Sequence, residues 1–153
     1  MKTLNIKGKC EAAFLRILKP YADTQELSGF QWVYRFFTGT LKTKRISVIA
    51  GSPVVGLRDE DGTPLTWDVP LTVEIVTGKK STENTEHDDL VATVAEVFYD
   101  GSETCTALDA AMVGEGFHAM HWEFGDGPEC EIDDQARKSR LTGKLLMRPF
   151  DAA

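Results

Sequence analysis

The chain has 153 residues, 42% of them hydrophobic, which is enough for one packed core and too few for two ordinary domains. No run approaches the roughly 18 apolar residues of a membrane span, and charge at Lys2, Lys7, Lys9 and Glu11 interrupts the amino-terminal stretch before a signal-like apolar region develops, so a soluble, cytoplasmic chain is expected. The net charge of −7 is unevenly spread: residues 1–45 hold nine Lys/Arg against three Asp/Glu, residues 46–136 three against twenty, and residues 137–153 five against one, an acidic middle that argues against general nucleic-acid binding.

Residues 9–20 read as a first helix, because Cys10, Ala13, Phe14, Ile17 and Leu18 share a face at helical spacing and Pro20 supplies a stop. A polar loop follows. Residues 30–37, FQWVYRFF, alternate Phe30, Trp32, Tyr34 and Phe36 with Gln31, Val33, Arg35 and Phe37; aromatic enrichment favours a strand, and a buried helical turn is the alternative. A clearer strand spans residues 45–50, closed by Gly51 and Pro53. Residues 54–67 are rich in turn formers, with Asp61-Gly62 and Thr63-Pro64 the sharpest, and read either as a hairpin tip or as a long mobile loop.

The central segment is residues 69–77, where Val69, Leu71, Val73 and Ile75 recur at every second position, as a half-buried strand requires. Residues 78–89 form a polar connection with Ser81, Thr82 and Thr85 as candidate caps; Thr85 with Asp88 loosely fits a capping box, and Glu83, Glu86, Asp88 and Asp89 lie where the helix dipole favours negative charge. A helix over residues 90–99 buries Leu90, Val91, Val94, Val97 and Phe98, and Asp100-Gly101 ends it. A shorter helix, residues 102–113, buries Cys105, Leu108, Ala111 and Met112. Residues 117–124 alternate His118, Met120, Trp122 and Phe124 against Phe117, Ala119, His121 and Glu123, a strand with the first set as its apolar face. After a turn or extended loop, a last strand sets Leu141, Leu145 and Met147 opposite Arg140, Thr142, Lys144 and Arg148. The order α β β β α α β β has no repeated βαβ unit. It predicts a single α+β domain over residues 1–153, with a mostly antiparallel or mixed sheet and two to three helices on one face.

The chemistry in these segments is sparse. Cys10, Cys105 and Cys130 are odd in number, widely spaced and lack a CxxC pair, against both a disulfide framework and a thiolate zinc site. The DEDG at residues 59–62 lacks the further oxygen ligands of a calcium loop. His118 and His121, three apart on a strand, are expected on opposite faces and so cannot easily share a metal. His87, followed by Asp88 and Asp89, suits acid–base work, yet its place at the inner edge of the helical apolar stripe fits a packed histidine better. No GxSxG, GxGxxG, Walker A or HExxH sequence is present. The expectation is a chain with no catalysis, metal or cofactor.

Three stretches together carry a resemblance: VPLTVEIVT (Val69–Thr77), the helix start HDDLV (His87–Val91), and the basic late strand entered at RKSRL (Arg137–Met147). With LDAAM in the helix between them, the pattern resembles the tail terminator, or tail completion, proteins of long-tailed bacteriophages, over about the carboxy-terminal 85 residues. FQWVYRFF has no counterpart in that pattern. The resemblance implies a virion protein of the neck, assembled in the host cytoplasm, forming a homo-oligomeric and hexameric ring that caps the tail tube and stops its polymerisation. Its partners would be the tail-tube protein and the capsid connector or stopper, with DNA passing through unbound. On that reading, Arg137, Lys138, Arg140, Asp59, Glu60 and Asp61 are candidates for the subunit or partner interface, and Glu83, Glu86, Asp88 and Asp89 would line an acidic lumen that repels phosphate. The loops at 54–67 and 128–138 would order on docking. The alternatives are another head-to-tail connector protein, or a small monomeric ligand-binding or enzymatic domain using His87 with His118 or His121.

Overall fold

The strand alternation and helical stripes resolve into one layered structure. The computed structural model describes residues 6–24, 31–34, 40, 44–78, 82–99, 101–113, 116–125, 128–132 and 136–149. Within them the chain runs α1 (Ile6–Thr24), β1 (Gln31–Tyr34), β2 (Arg45–Ala50), β3 (Val54–Val55), β4 (Trp67–Gly78), α2 (Thr82–Tyr99), α3 (Gly101–Val113), β5 (Phe117–Phe124), β6 (Glu129–Ile132) and β7 (Ala136–Pro149). The strands form one sheet in the order β1-β2-β4-β7-β5; β3 adds to β4 and β6 to β7. Neighbours are antiparallel except for β1 and β2, which run parallel. This is the α+β, mostly antiparallel mixed sheet that the element order predicts.

At the centre, β4 pairs with β7 from Trp67 opposite Met147 to Gly78 opposite Ala136. Period-2 alternation then sends Val69, Leu71, Val73 and Ile75 from β4, and Leu141, Leu145 and Met147 from β7, to the same face, where all are buried. The helices cover that face: Cys10, Ala13, Phe14 and Leu18 of α1, Leu90, Val94 and Ala95 of α2, and Leu108 and Met112 of α3 complete one hydrophobic cluster. Burying each large side chain contributes on the order of 1.5–3 kcal/mol, so this one-sided core dominates stability. Cys10 belongs to it: its thiol lies 3.5 Å from Met147 Sδ, and burial, with Glu11 beside it, pushes its pKa up to about 12. That thiol stays protonated and unreactive.

Two polar details set where β2 stops. The Glu11 carboxylate, itself buried, accepts the Ala50 N–H at 3.0 Å. One residue on, Gly51 N–H donates to the Pro70 carbonyl at 2.8 Å. Because a residue's C=O and N–H point to the same side in an antiparallel ladder, the N–H that Pro70 lacks would have faced the space beyond the end of β2. A proline is tolerated inside β4 for that reason.

Several sequence expectations need correction. The first helix runs past Pro20 to Thr24; the proline removes its own N–H donor without ending the helical path. Of residues 30–37, Gln31–Tyr34 form the expected strand, and Phe30 and residues 35–37 lie outside the described residues. The helix expected from residue 90 begins at Thr82, so Thr85 sits inside it and is not its cap. The stretch from 125 to 138 is not a plain loop: it contains β6 and the start of β7. On β5 a bulge at Met120 shifts the register between Ala119 and His121. Phe117, Ala119, Trp122 and Phe124 therefore pack on the core, whereas Met120, expected on the apolar face, is 47% exposed.

The bulge aims the Trp122 indole across β7 at Gly143, and its ring packs against Phe14 with centroids 5.3 Å apart. A Cβ at position 143 would run into that indole. Gly143→Ala is expected to lower unfolding stability in urea by about 1–3 kcal/mol through overpacking; a loss under about 0.5 kcal/mol would show that Trp122 is free to move aside.

Candidate functional site

Three polar side chains meet inside the core. His87, in the second turn of α2, is fully buried. Its Nδ1 is 2.8 Å from Thr77 Oγ1 of β4 and its Nε2 is 2.8 Å from Ser139 Oγ of β7, and both hydroxyls are buried too. A neutral imidazole donates from one nitrogen and accepts at the other, and each hydroxyl serves either role, so all three groups are satisfied. Burial lowers the His87 pKa below its usual value; the Arg137 guanidinium lowers it further, and Asp88 opposes.

Chemically, a neutral histidine facing Ser139 can accept that hydroxyl's proton. Two features oppose nucleophilic catalysis at this pair. Ser139 is only 2% exposed, and the far nitrogen of His87 meets a hydroxyl where a carboxylate would be needed to stabilise an imidazolium. The geometry is that of a pin joining α2 to the two central strands.

Beside the pin, a groove of about 460 Å³ opens between α2 and β6, walled by Val91, Ala92 and Ala95 on the helix and Pro128 and Cys130 on the strand side, with Ser139 at its base and Asp88 and Glu96 on α2. It exists because the helical layer stops short of β6, whose four residues are all exposed. Cys130 pairs in register with Ser139 and Ile132 with Arg137, so both project to the helix side of the sheet.

The second prominent feature is the stretch from 54 to 67. It is a hairpin arm: Val54 and Val55 pair with Asp68 and Trp67, Leu65 N–H donates to the Leu57 carbonyl at 2.8 Å, and Arg58 bridges to Pro64. At the tip the Asp59 carboxylate accepts the N–H groups of Asp61 and Thr63, each at 2.9 Å, while Gly62 takes φ 83°. The mobile-loop alternative gives way to this bonded turn. Val54, Leu57 and Leu65 along the arm are 59%, 65% and 45% exposed.

The residues expected to matter fall into separate places. Asp59, Glu60 and Asp61 are exposed together at the arm tip. Arg137, Lys138 and Arg140 do not form one basic patch, because alternation along β7 splits them. Arg137 is half-buried on the helix side, and its buried Nε has no hydrogen-bond partner among the described residues. Arg140 lies on the open face, bound to Glu74 at 2.8 Å and near Glu131 at 3.6 Å, and its hydrogen bond to Glu74 raises its pKa. Lys138 shares that open face, opposite Glu131. Of the acidic set, Glu86 is paired with Lys44 at 2.9 Å, Asp88 and Asp89 are exposed on α2, and the Glu83 side chain lies outside the described residues.

The two other histidines also depart from expectation. The bulge at Met120 cancels one step of alternation, so His118 and His121 sit opposite Arg148 and Leu146 on the same face. His118 nevertheless turns to Asp109, whose Oδ1 receives His118 Nδ1 at 3.1 Å and Ala119 N–H at 3.0 Å, tying α3 to β5. Among the described residues no group of three or more His, Cys, Asp or Glu is placed to hold a metal. No helix among them is long and apolar enough to cross a membrane.

Sequence reasoning overlooked Thr77 and Ser139. The signal was there: each extends the inward alternation of a strand whose central inward residues are apolar, which marks a polar group that needs a buried partner. A scan against protein-family models finds no match, and a search of curated proteins finds no significant relative.

Because burial holds His87 neutral, the unfolded chain takes up a proton below pH about 6.5 that the folded chain refuses, and stability is lost as pH falls from there toward the depressed folded pKa. His87→Leu should lose about 1–3 kcal/mol at pH 7 for each hydroxyl left unsatisfied. Urea unfolding at pH 7 and pH 5 should also show a smaller acid-induced loss in the variant than in the wild type. Equal losses in both would mean that His87 is not the titrating group.

Proposed function

We propose that this chain is a structural subunit of a phage neck, of the tail terminator type: a non-catalytic, cofactor-free protein that assembles as a homo-oligomeric, hexameric ring on the end of the tail tube. One observation carries the reading. The three stretches on which the sequence resemblance rests converge on one junction, where His87 at the start of α2 hydrogen-bonds Thr77 of β4 and, 52 residues on, Ser139 of β7. The motif histidine then has a physical task, which is to lock the helix onto the central strand pair.

Two further features support an assembling subunit. Among the described residues the helices cover one face of the sheet, and the opposite face carries paired acids and bases such as Glu74 with Arg140, a surface that stays soluble alone and offers charge for contacts with neighbours. Asp89 projects from α2 into solvent, as a DNA-repelling channel lining requires. In this reading the partners are further copies, the tail-tube protein and the capsid connector or stopper, and the protein resides in the virion neck. Tube capping distinguishes it from other connector proteins of the neck.

Light scattering of purified protein, with negative-stain imaging of the same fractions, should give a mass near six chains and ring-shaped particles, either alone or after addition to purified tail tubes. A chain that stays monomeric and neither binds nor caps the tubes overturns the proposal. His87→Ala should weaken folding and leave ring formation intact in the folded fraction.

A further inference from the structure

The arm and the groove occupy opposite ends of the molecule. The arm leaves the sheet where β3 pairs with Trp67 and Asp68, at the start of β4, whereas the groove lies beside Ser139, whose partner Ile75 is near the end of β4. Eight residues of strand from Trp67 to Ile75 at about 3.3 Å each put roughly 25 Å along the sheet between them, and the bonded arm continues past the start of β4 in the opposite direction. The hairpin arm, about seven residues from Val54 to its tip, cannot turn back to its own groove. It can reach the groove of another copy.

We propose that the arm of one copy docks in the groove between α2 and β6 of the next, forming a head-to-tail contact that repeats around the ring. The inference rests on the ring reading above and gives it an interface. Both halves are unfilled apolar surface. The arm presents Val54, Leu57 and Leu65, and the groove presents Val91, Ala92 and Ala95 facing Cys130, with Ile132 56% exposed on the same side of β6.

The charges also fit in kind. The tip carries Asp59, Glu60 and Asp61, and Arg137, in register with Ile132 of β6, lies half-buried on the helix side, one step of the alternation from Ser139 at the groove's base. Conversely, Arg58 on the arm meets a groove that holds Asp88 and Glu96. Each half therefore contains the counter-charge of the other, which aligns the arm as well as attracting it. A contact made from two different patches at opposite ends is heterologous, and it closes into a ring when the rotation per copy divides a full turn. Two identical patches would instead pair about a two-fold axis and stop at a dimer. The feature that sequence reading expected to order on docking is already formed, so docking costs little backbone entropy.

The test uses two variants at exposed positions, Leu57→Asp on the arm and Ala92→Arg in the groove, studied under the conditions in which wild-type chains assemble, alone or on purified tail tubes. Each variant by itself should fail to form rings. An equimolar mixture should give a particle of two chains and no larger, because the sound arm of the groove variant fills the sound groove of the arm variant and leaves only damaged surfaces outside. Unfolding midpoints within a few degrees of wild type establish folding, and Leu65→Asp or Ala92→Lys replaces a variant that misfolds. Rings formed by either variant overturn the inference and leave the ring reading standing. So does a mixture that stays monomeric, since the two patches would then serve different contacts. Wild-type chains that neither form rings nor cap tubes overturn both.

Discussion

The structure depends on one requirement: the inward face of the β4–β7 ladder must stay dry. That ladder supplies a wall of Val69, Leu71, Val73, Ile75, Leu141, Leu145 and Met147, all essentially inaccessible to solvent. Every helix is placed by its need to cover part of it. The cover works because β7 is glycine where Trp122 crosses, so one large aromatic can span two strands and reach Phe14 on α1. The open face has no such demand and carries half-exposed pairs such as Arg140 with Glu74. Exposed pairs of that kind are worth roughly 0–1 kcal/mol, so that face decides contacts and solubility more than stability.

Within the dry face, two polar groups are answered by specific partners. His87 is satisfied by two hydroxyls, and Glu11 by the end of β2. Leaving any of these groups unpaired would cost as much as removing a core methylene or more. The His87 junction is also directional, since it fixes the first turns of α2 against both central strands. The same junction sets how far α2 lies from β6, and hence the width of the groove.

Most of this architecture was legible in the residues. Period-2 alternation in Val69–Ile75 and in Leu141–Met147, and the helical stripes of Cys10–Leu18 and Leu108–Met112, identify the core because a half-buried element must repeat at its own pitch. The misreadings have local causes. The bulge at Met120 breaks the alternation on which the strand face and the His118–His121 geometry were judged, and a bulge leaves no compositional mark. Strand β6 was missed because all four of its residues are exposed; with no face buried, ECEI shows no hydrophobic period. The basic cluster at Arg137, Lys138 and Arg140 looked like one patch because adjacency in sequence hides the two-sided nature of a strand. The arm could not be told from a loop because its register is held by backbone bonds and an Asx turn, with most of its residues exposed.

The pairing of β4 with β7 also governs the order of events during synthesis. Of the strands, β7 is the last to be made, yet it occupies the middle of the sheet, and its nearest partner pair already joins Gly78 to Ala136. Until β7 leaves the ribosome, β4 has one bare edge and an apolar face only partly covered by α1, α2 and α3. Pairings so distant in sequence form slowly and leave a nascent chain exposed to association. The groove wall at β6 also does not exist until β7 is in place, because β6 pairs only with that strand. A growing chain thus lacks the groove until its own centre is complete.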